Sequence, residues 1–299
     1  MELGISLASA TTLPAAEAGR HLVARVRAAH RSGLDSMSVG DNHIVSAVNY
    51  LQNTPTLARA LAEWPGRPAG CLFLLPMWPP VLAAEQIGTL AAFHDGPFIV
   101  QTGIGGGPSQ FAALGARLDR RVAVFQEGVR VVRGLLAGES VSSELFGFDD
   151  VSIALVPHQP VEWWMGTGHP DGLRRAARWG AAWYSSPGPN ADETAHLAAE
   201  YRSACDEHGS TARVVVRRDV LVLADGDAAR RHAERAVDAG YRGMSVDQLV
   251  VGTPAEAAEQ LAPFAEIGVD QIVARTMGIA PDVDLETIES LGDVRAMLS

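Results

Sequence analysis

The sequence predicts an α/β protein built as a closed (β/α)8 TIM barrel with insertions, and three observations carry that prediction. Eight short apolar runs alternate with segments of helical spacing along the chain; parallel strands covered on both faces read as such runs, and their alternation with helices generates βαβ units. Three polar or Gly-rich segments, Gly40-Asp41-Asn42-His43, Gly103-Ile104-Gly105-Gly106-Gly107 and Met165-Gly166-Thr167-Gly168-His169-Pro170, each leave an apolar run and lead into a helical pattern. In a barrel all such junctions open on one face, so residues distant in sequence line one pocket there. The length agrees, since 299 residues accommodate a fold that typically uses about 250. No repeat or low-complexity linker divides the chain, so a single domain over 1–299 is expected.

In chain order the strands are placed at 3–7, 36–39, 70–75, 98–101, 161–165, 181–184, 214–223 and 271–274. Helices fall at 15–31, 56–64, 81–93, 117–136, 171–178, 192–207, 227–239 and 254–267, where Ala, Leu and Val recur with helical spacing. Eight strands in strict alternation favour a closed barrel over an open doubly wound sheet. The segment 140–160, rich in Ser, Asp and Pro with alternating apolar residues, predicts a hairpin inserted between the fourth helix and the fifth strand. A second insertion, 240–252, precedes a helix opened by Thr253-Pro254-Ala255-Glu256, with an N-cap residue, a first-turn proline and a glutamate at the capping-box position. Both insertions are candidate lids.

Composition narrows the chemistry. The amino terminus, Met1 to Leu7, has no basic stretch ahead of its apolar residues, and no run reaches the ~18 apolar residues of a membrane helix, so a cytoplasmic protein is expected. Cys71 and Cys205 are the only cysteines and lack metal-site spacing, which argues against a disulfide framework or a structural zinc. A formal charge of −11 disfavours a general binder of nucleic acid or anionic membranes. Every basic residue is Arg, with no Lys in the chain. Schiff-base chemistry and a Walker-type phosphate loop, both of which need a lysine amine, are therefore excluded.

The Gly-rich junctions are candidate anion sites. At Gly103, Gly105, Gly106 and Gly107 the missing Cβ lets backbone N–H groups approach a phosphate, although a plain chain reversal uses the same residues. Gly166, Thr167 and Gly168 repeat the arrangement after the fifth strand. Behind them Arg174 and Arg175 are candidates for bidentate phosphate contacts, whereas Arg178 reads as part of a solvated helix face. His43, just past a strand end beside Asp41, is a candidate proton or hydrogen-bond donor, with Asp41 orienting it or capping the loop. Trp78, in Leu74-Leu75-Pro76-Met77-Trp78-Pro79-Pro80, offers a rigid apolar wall for a flat heterocycle, or a proline-stiffened start to a helix. Asn49 and Tyr50 suit a polar rim around a small-molecule substrate, with 45–53, 77–79 and Arg218 shaping its pocket. Trp163, Trp164 and Trp183 lie in strands and are assigned to core packing.

Together these residues resemble the luciferase-like monooxygenase superfamily, which includes flavin-dependent monooxygenases and reductases that use the deazaflavin coenzyme F420. The likeness runs through Gly33-Leu34-Asp35-Ser36-Met37-Ser38-Val39-Gly40-Asp41, Pro80-Val81-Leu82-Ala83-Ala84-Glu85-Gln86, Gly103 to Gly107, Trp164-Met165-Gly166-Thr167-Gly168, Leu173 to Arg178, and Gly252-Thr253-Pro254-Ala255-Glu256. The resemblance implies coenzyme F420 or FMN at the strand-end pocket, with phosphate near Gly105 to Gly107 and Gly166 to Gly168. It further implies a bulged third strand around Leu72-Phe73-Leu74, often with a non-proline cis peptide, pressed against the ring, and His43 in the proton-donating position of deazaflavin reductases. Two departures are visible: Asn42 separates Asp41 from His43, which many relatives join directly, and Gly96-Pro97-Phe98 replaces the usual Gly-Arg-Phe.

The implied function is hydride transfer to or from a small organic substrate. The His43 loop and the Arg-bearing helix favour an F420-dependent reductase over an FMN-dependent monooxygenase fed by a separate flavin reductase. A cofactor-free barrel isomerase or lyase and a non-catalytic flavin carrier are the alternatives from other classes. Dimerisation is common among relatives, so a homodimer is expected.

Overall fold

The computed structural model describes residues 1–7 and 9–298. Its strands are β1 (Glu2–Leu7), β2 (Ala10–Thr11), β3 (Met37–Val39), β4 (Asn49–Tyr50), β5 (Ala69–Phe73), β6 (Phe98–Thr102), β7 (Val141–Ser143), β8 (Phe148–Val151), β9 (Val161–Gly166), β10 (Ala182–Ser185), β11 (Val214–Val222), β12 (Val250–Gly252) and β13 (Gln271–Thr276). Its α-helices are α1 (Ala15–Arg31), α2 (Asn53–Leu61), α3 (Pro80–Ala92), α4 (Pro108–Ala113), α5 (Arg121–Leu136), α6 (Pro170–Arg178), α7 (Ala191–His208), α8 (Gly226–Asp238), α9 (Pro254–Glu266) and α10 (Pro281–Met297). The main sheet runs β10-β9-β6-β5-β3-β1-β13-β11-β12, and a further β10–β11 pairing closes it. All of its pairings are parallel, so the eight strands read from the sequence form the ring of a (β/α)8 barrel.

Two-residue periodicity sorts the strand side chains into two cores. Ile99, Trp164, Ala182, Val215 and Val273 meet inside the barrel, with the half-buried Tyr184 packed on them. The alternate positions, among them Leu3, Ile5, Val39, Cys71, Phe73, Val100 and Ile272, face outward into the larger core beneath the helices. Gly70 sits in the lumen layer, where a Cβ would overlap the Ile99 carbonyl.

The 140–160 segment forms the expected hairpin, β7 pairing antiparallel with β8. The 240–252 insertion is only partly a loop: its last residues are β12, which pairs with the upper end of β11 at Val220, Leu221 and Val222. Thr253 and Glu256 form the expected capping box at the start of α9. Helix α10 was not expected. Ile288, Leu291 and Val294 repeat at three-residue spacing, but Asp284 and Thr287 share the buried face and interrupt its apolar stripe. The expected cis peptide is absent: no peptide bond among the described residues is cis. No bulge interrupts the β5–β6 ladder, which runs in register from Ala69↔Phe98 to Phe73↔Thr102, so Leu72 and Phe73 hold regular strand positions. Among the described residues, no helix is long and apolar enough to cross a membrane.

Candidate active site

The carboxyl ends of the barrel strands bring together residues from along the whole chain. Asp41 follows β3 and is buried. Its Oδ2 accepts hydrogen bonds from the Leu74 backbone N–H at 2.8 Å and the Trp78 Nε1–H at 2.9 Å. Its Oδ1 stands 3.1 Å from Nε2 of His43, at ion-pair distance. The intervening Asn42 turns the other way: its Oδ1 accepts from Gln110 Nε2 at 2.7 Å, tying this loop to α4. Asp41 and His43 thus fold back on each other across a residue that faces outward. The Asp41 carboxylate, as hydrogen-bond and charge partner, raises the His43 imidazole above its ordinary pKa against the opposing effect of burial. Trp78 lies beside the pair, its ring 6.1 Å from His43 and 5.2 Å from Phe73.

Tyr50 closes another side. The β2–β4 ribbon pairs Ala10 with Tyr50, and the Tyr50 hydroxyl reaches to 3.6 Å from where a Gly40 Cβ would stand. Burial first, and then the nearby Asp41 charge, push the phenol up to about 12, so it remains a hydrogen-bond donor. Asn49 is exposed and donates to the Leu13 carbonyl at 2.8 Å, so its amide holds the ribbon rather than facing the pocket.

The two Gly turns follow β6 and β9. Gly103 continues the ladder, donating to Phe73 O at 3.1 Å. Gly105 adopts φ 70, the left-handed region that suits glycine, and Gly107 opens α4. Gly106 and Gly168 have open space where a Cβ would stand, and a Gly166 Cβ would lie 3.4 Å from Thr102 O. The Thr167 hydroxyl is engaged locally: it accepts from the His169 N–H at 3.2 Å and packs where a Gly172 Cβ would stand.

Strand parity separates the remaining candidates. Leu72 is half-buried and belongs to the lumen-facing set of β5, whereas Phe73 is fully buried in the outer core. The expectation that Phe73 touches a ring inside the barrel is therefore corrected. Arg174 is exposed and paired with Asp171. Arg175 lies over the Phe125 ring at 5.9 Å, in the outer groove between α5 and α6. The structure thus puts both arginines on the helical exterior rather than at the strand ends. Arg218 also points outward: it is buried, donates to the Pro187 and Pro189 carbonyls, and lies 4.3 Å from the Phe264 ring.

Its neighbours in sequence face the lumen and were not expected. Asp219 is fully buried, with Arg217, Arg242 and Arg275 within 3.3 to 3.4 Å of its carboxylate oxygens. Tyr241 donates to Asp219 Oδ2 at 2.8 Å and accepts from Arg275 Nη1 at 3.0 Å. Deeper in the barrel Trp164 stacks on Tyr184, ring centroids 5.7 Å apart. Ser38 Oγ and Gln101 Nε2 are buried polar atoms with no protein partner. Such atoms are costly unless something bonds to them, so the lumen offers polar groups to a ligand or to water.

The chain is 27% identical over 207 residues to an uncharacterized protein of Mycobacterium tuberculosis, covering 67% of this chain and 69% of that protein. It is 23% identical over 255 residues to the FMNH(2)-dependent dimethylsulfone monooxygenase of Pseudomonas putida, covering 69% of this chain and 68% of that enzyme. Its fold matches that of an F420-dependent secondary alcohol dehydrogenase, solved with an F420-acetone adduct, with TM-score 0.83 at 16% identity over 100% of this chain and 99% of the other. The profile of one family matches residues 1–242, and with the barrel and its strand-end site in place the conclusion is direct: this chain belongs to the luciferase-like monooxygenase family.

Proposed function

We propose that this protein is an F420-dependent oxidoreductase that transfers hydride to or from a small organic substrate, with His43 and Asp41 handling the accompanying proton. The observation that carries the reading is the 3.1 Å contact between His43 Nε2 and a carboxylate buried at the barrel mouth. Coenzyme F420 would supply the hydride chemistry through its deazaflavin ring. Leu72 and Trp78 would give that ring an apolar wall, and Ser38 and Gln101 offer it unpaired polar atoms. The open backbone at Gly106 and Gly168 suits a phosphate. His43 has the raised pKa a general acid needs near neutrality, and Asp41 fixes its ring.

A second reading, FMN-dependent monooxygenation with a separate reductase, is favoured by the likeness to the dimethylsulfone monooxygenase. There the same walls would exclude water. Spectral titration with F420 and with FMN separates the two. The proposal expects F420 to bind at least tenfold more tightly, with a perturbed visible band. Tighter FMN binding would turn the assignment to the second reading, and no spectral change with either would return it to a cofactor-free barrel enzyme.

A further inference from the structure

We propose that Arg217, Arg242 and Arg275 form a seat for an anionic group of the substrate, a carboxylate, sulfonate or phosphate, on the side of the barrel mouth away from the Gly103 to Gly107 turn. The inference rests on the oxidoreductase reading above and names the class of substrate that reading leaves open.

Charge is the first argument. Three guanidinium groups surround one carboxylate, Asp219, leaving a local excess of two positive charges in a chain whose formal charge is −11. Burial first, and then the like charges of Arg275 and Arg217, lower the Arg242 guanidinium below its ordinary pKa.

Hydrogen-bond capacity is the second. Each guanidinium carries five N–H donors in a planar fork suited to oxyanions. The acceptors among them are the Asp219 carboxylate, whose Oδ2 also takes the Tyr241 hydroxyl proton, the Tyr241 oxygen and the Tyr184 hydroxyl beside Arg217. Arg217 Nε and Asp219 Oδ1 stand 3.4 Å apart, and each lacks a hydrogen-bond partner. The cluster has more donors than acceptors, and an oxyanion supplies the acceptors. It is also reachable: the Arg217, Arg275 and Arg242 side chains are 18%, 16% and 38% exposed.

Position is the third. Around the closed ring β13 lies opposite β6, and β11 opposite β5. Arg275 and Arg217 therefore face the strands that carry the Gly103 turn and Leu72 across the mouth. A cofactor whose phosphate lies at the Gly turn leaves the arginine side for the reacting partner. Arg242 comes from the 240–252 insertion, where it adopts φ 50, so this segment places one donor over the seat.

Isothermal titration of the full-length protein with sulfate, benzoate and neutral benzamide, at constant ionic strength, tests this, alongside spectral titration of FMN and F420 against the same preparations. Sulfate and benzoate should bind saturably and benzamide should not. R242Q and R275Q should each weaken both anions at least tenfold while leaving cofactor affinity within twofold. Should R275Q fail to fold, the more exposed R242Q carries the test. Absence of saturable anion binding, or binding that neither substitution weakens, overturns the proposal. Equal weakening of cofactor and sulfate by R242Q also overturns it, because the seat would then belong to the cofactor's phosphate. Normal anion binding by a wild-type protein that takes neither cofactor upholds the seat and removes the redox reading instead.

Discussion

The Asp41 carboxylate divides its two oxygens: Oδ2 takes the Leu74 amide and the Trp78 indole, and Oδ1 faces the His43 imidazole at 3.1 Å. Asp41→Asn keeps the shape but removes the charge and turns an amide N–H₂ either to the Leu74 and Trp78 donors or to the His43 ring. The charge-assisted bonds it loses correspond to roughly 2–3 kcal/mol, read as a lower midpoint in denaturant melts. The same pair gives stability a pH dependence. His43 has its folded pKa raised above the ordinary 6.5, so its stabilising contribution is complete below 6.5 and is lost as pH rises through the folded value. His43→Gln should therefore lower Tm more in mildly acidic than in mildly alkaline buffer; an unchanged difference across that range would break the link between the imidazole and Asp41. His43 and Asp41 were legible because a polar pair just past an apolar run marks a strand end. Arg217 was not, because Arg217, Arg218 and Asp219 are consecutive charges within β11 and give no polarity alternation from which to choose the inward face. Only closure of the ring decides that Arg217 and Asp219 point in while Arg218 is covered by α9.

Helix ends were written more plainly than helix faces. At the start of α9, Thr253 Oγ1 accepts from the Glu256 N–H at 3.3 Å, and Glu256 Oε2 accepts from the Thr253 N–H at 2.7 Å. Thr253→Ala removes one half of this exchange and should cost about 1 kcal/mol, a drop in Tm of roughly 1–2 °C for a chain of this size. No shift would mean that β12 and the α9–α10 packing hold the helix start without its cap. The Gly105 turn makes a second prediction. With φ 70 and Met77 Cε 3.2 Å from the Cβ position, Gly105→Ala should cost about 1–2 kcal/mol and weaken cofactor binding in the spectral titration. Capping residues and glycines act locally, so sequence displays them. The buried face of α10 is different: His21 Nε2 lies 3.4 Å from Asp284 Oδ2, so one of its inward positions is filled by a charge that α1 partners. A pattern search for apolar residues passes over a helix packed in this way. The β12 segment was hidden for another reason, since three residues acquire strand character only by pairing with the overhanging end of β11.

At the scale of the molecule the barrel is a closed ring whose last strand joins its first. Strand β13 pairs with β1 from Glu2↔Gln271 to Ile5↔Ala274, and with β11 from Val215↔Gln271 to Val220↔Thr276. The closing helix α10 then packs on α1, and Arg295 grips Asp35 with contacts of 2.7 to 3.0 Å at the far end of the barrel from the site. The family match ends at residue 242, before β12, α9, β13 and α10. A fragment of 1–242 would leave β1 and β11 with unpaired edges and take Val273 out of the lumen core and Ile272, Ala274, Leu261, Ile288 and Leu291 out of the outer one. Unpaired parallel edges and open apolar cores promote association rather than folding. The fragment should therefore melt without a cooperative transition, bind a hydrophobic dye and elute as aggregates. Because Arg275 is missing and Arg242 is the last residue, it should also show no saturable sulfate binding. Co-expression of 243–299 should restore the cooperative melt by returning β13 to its place between β11 and β1. A sharp transition from 1–242 alone, near the temperature of the full chain, would mean that seven strands can close without the eighth, contrary to the geometry that gathers the site.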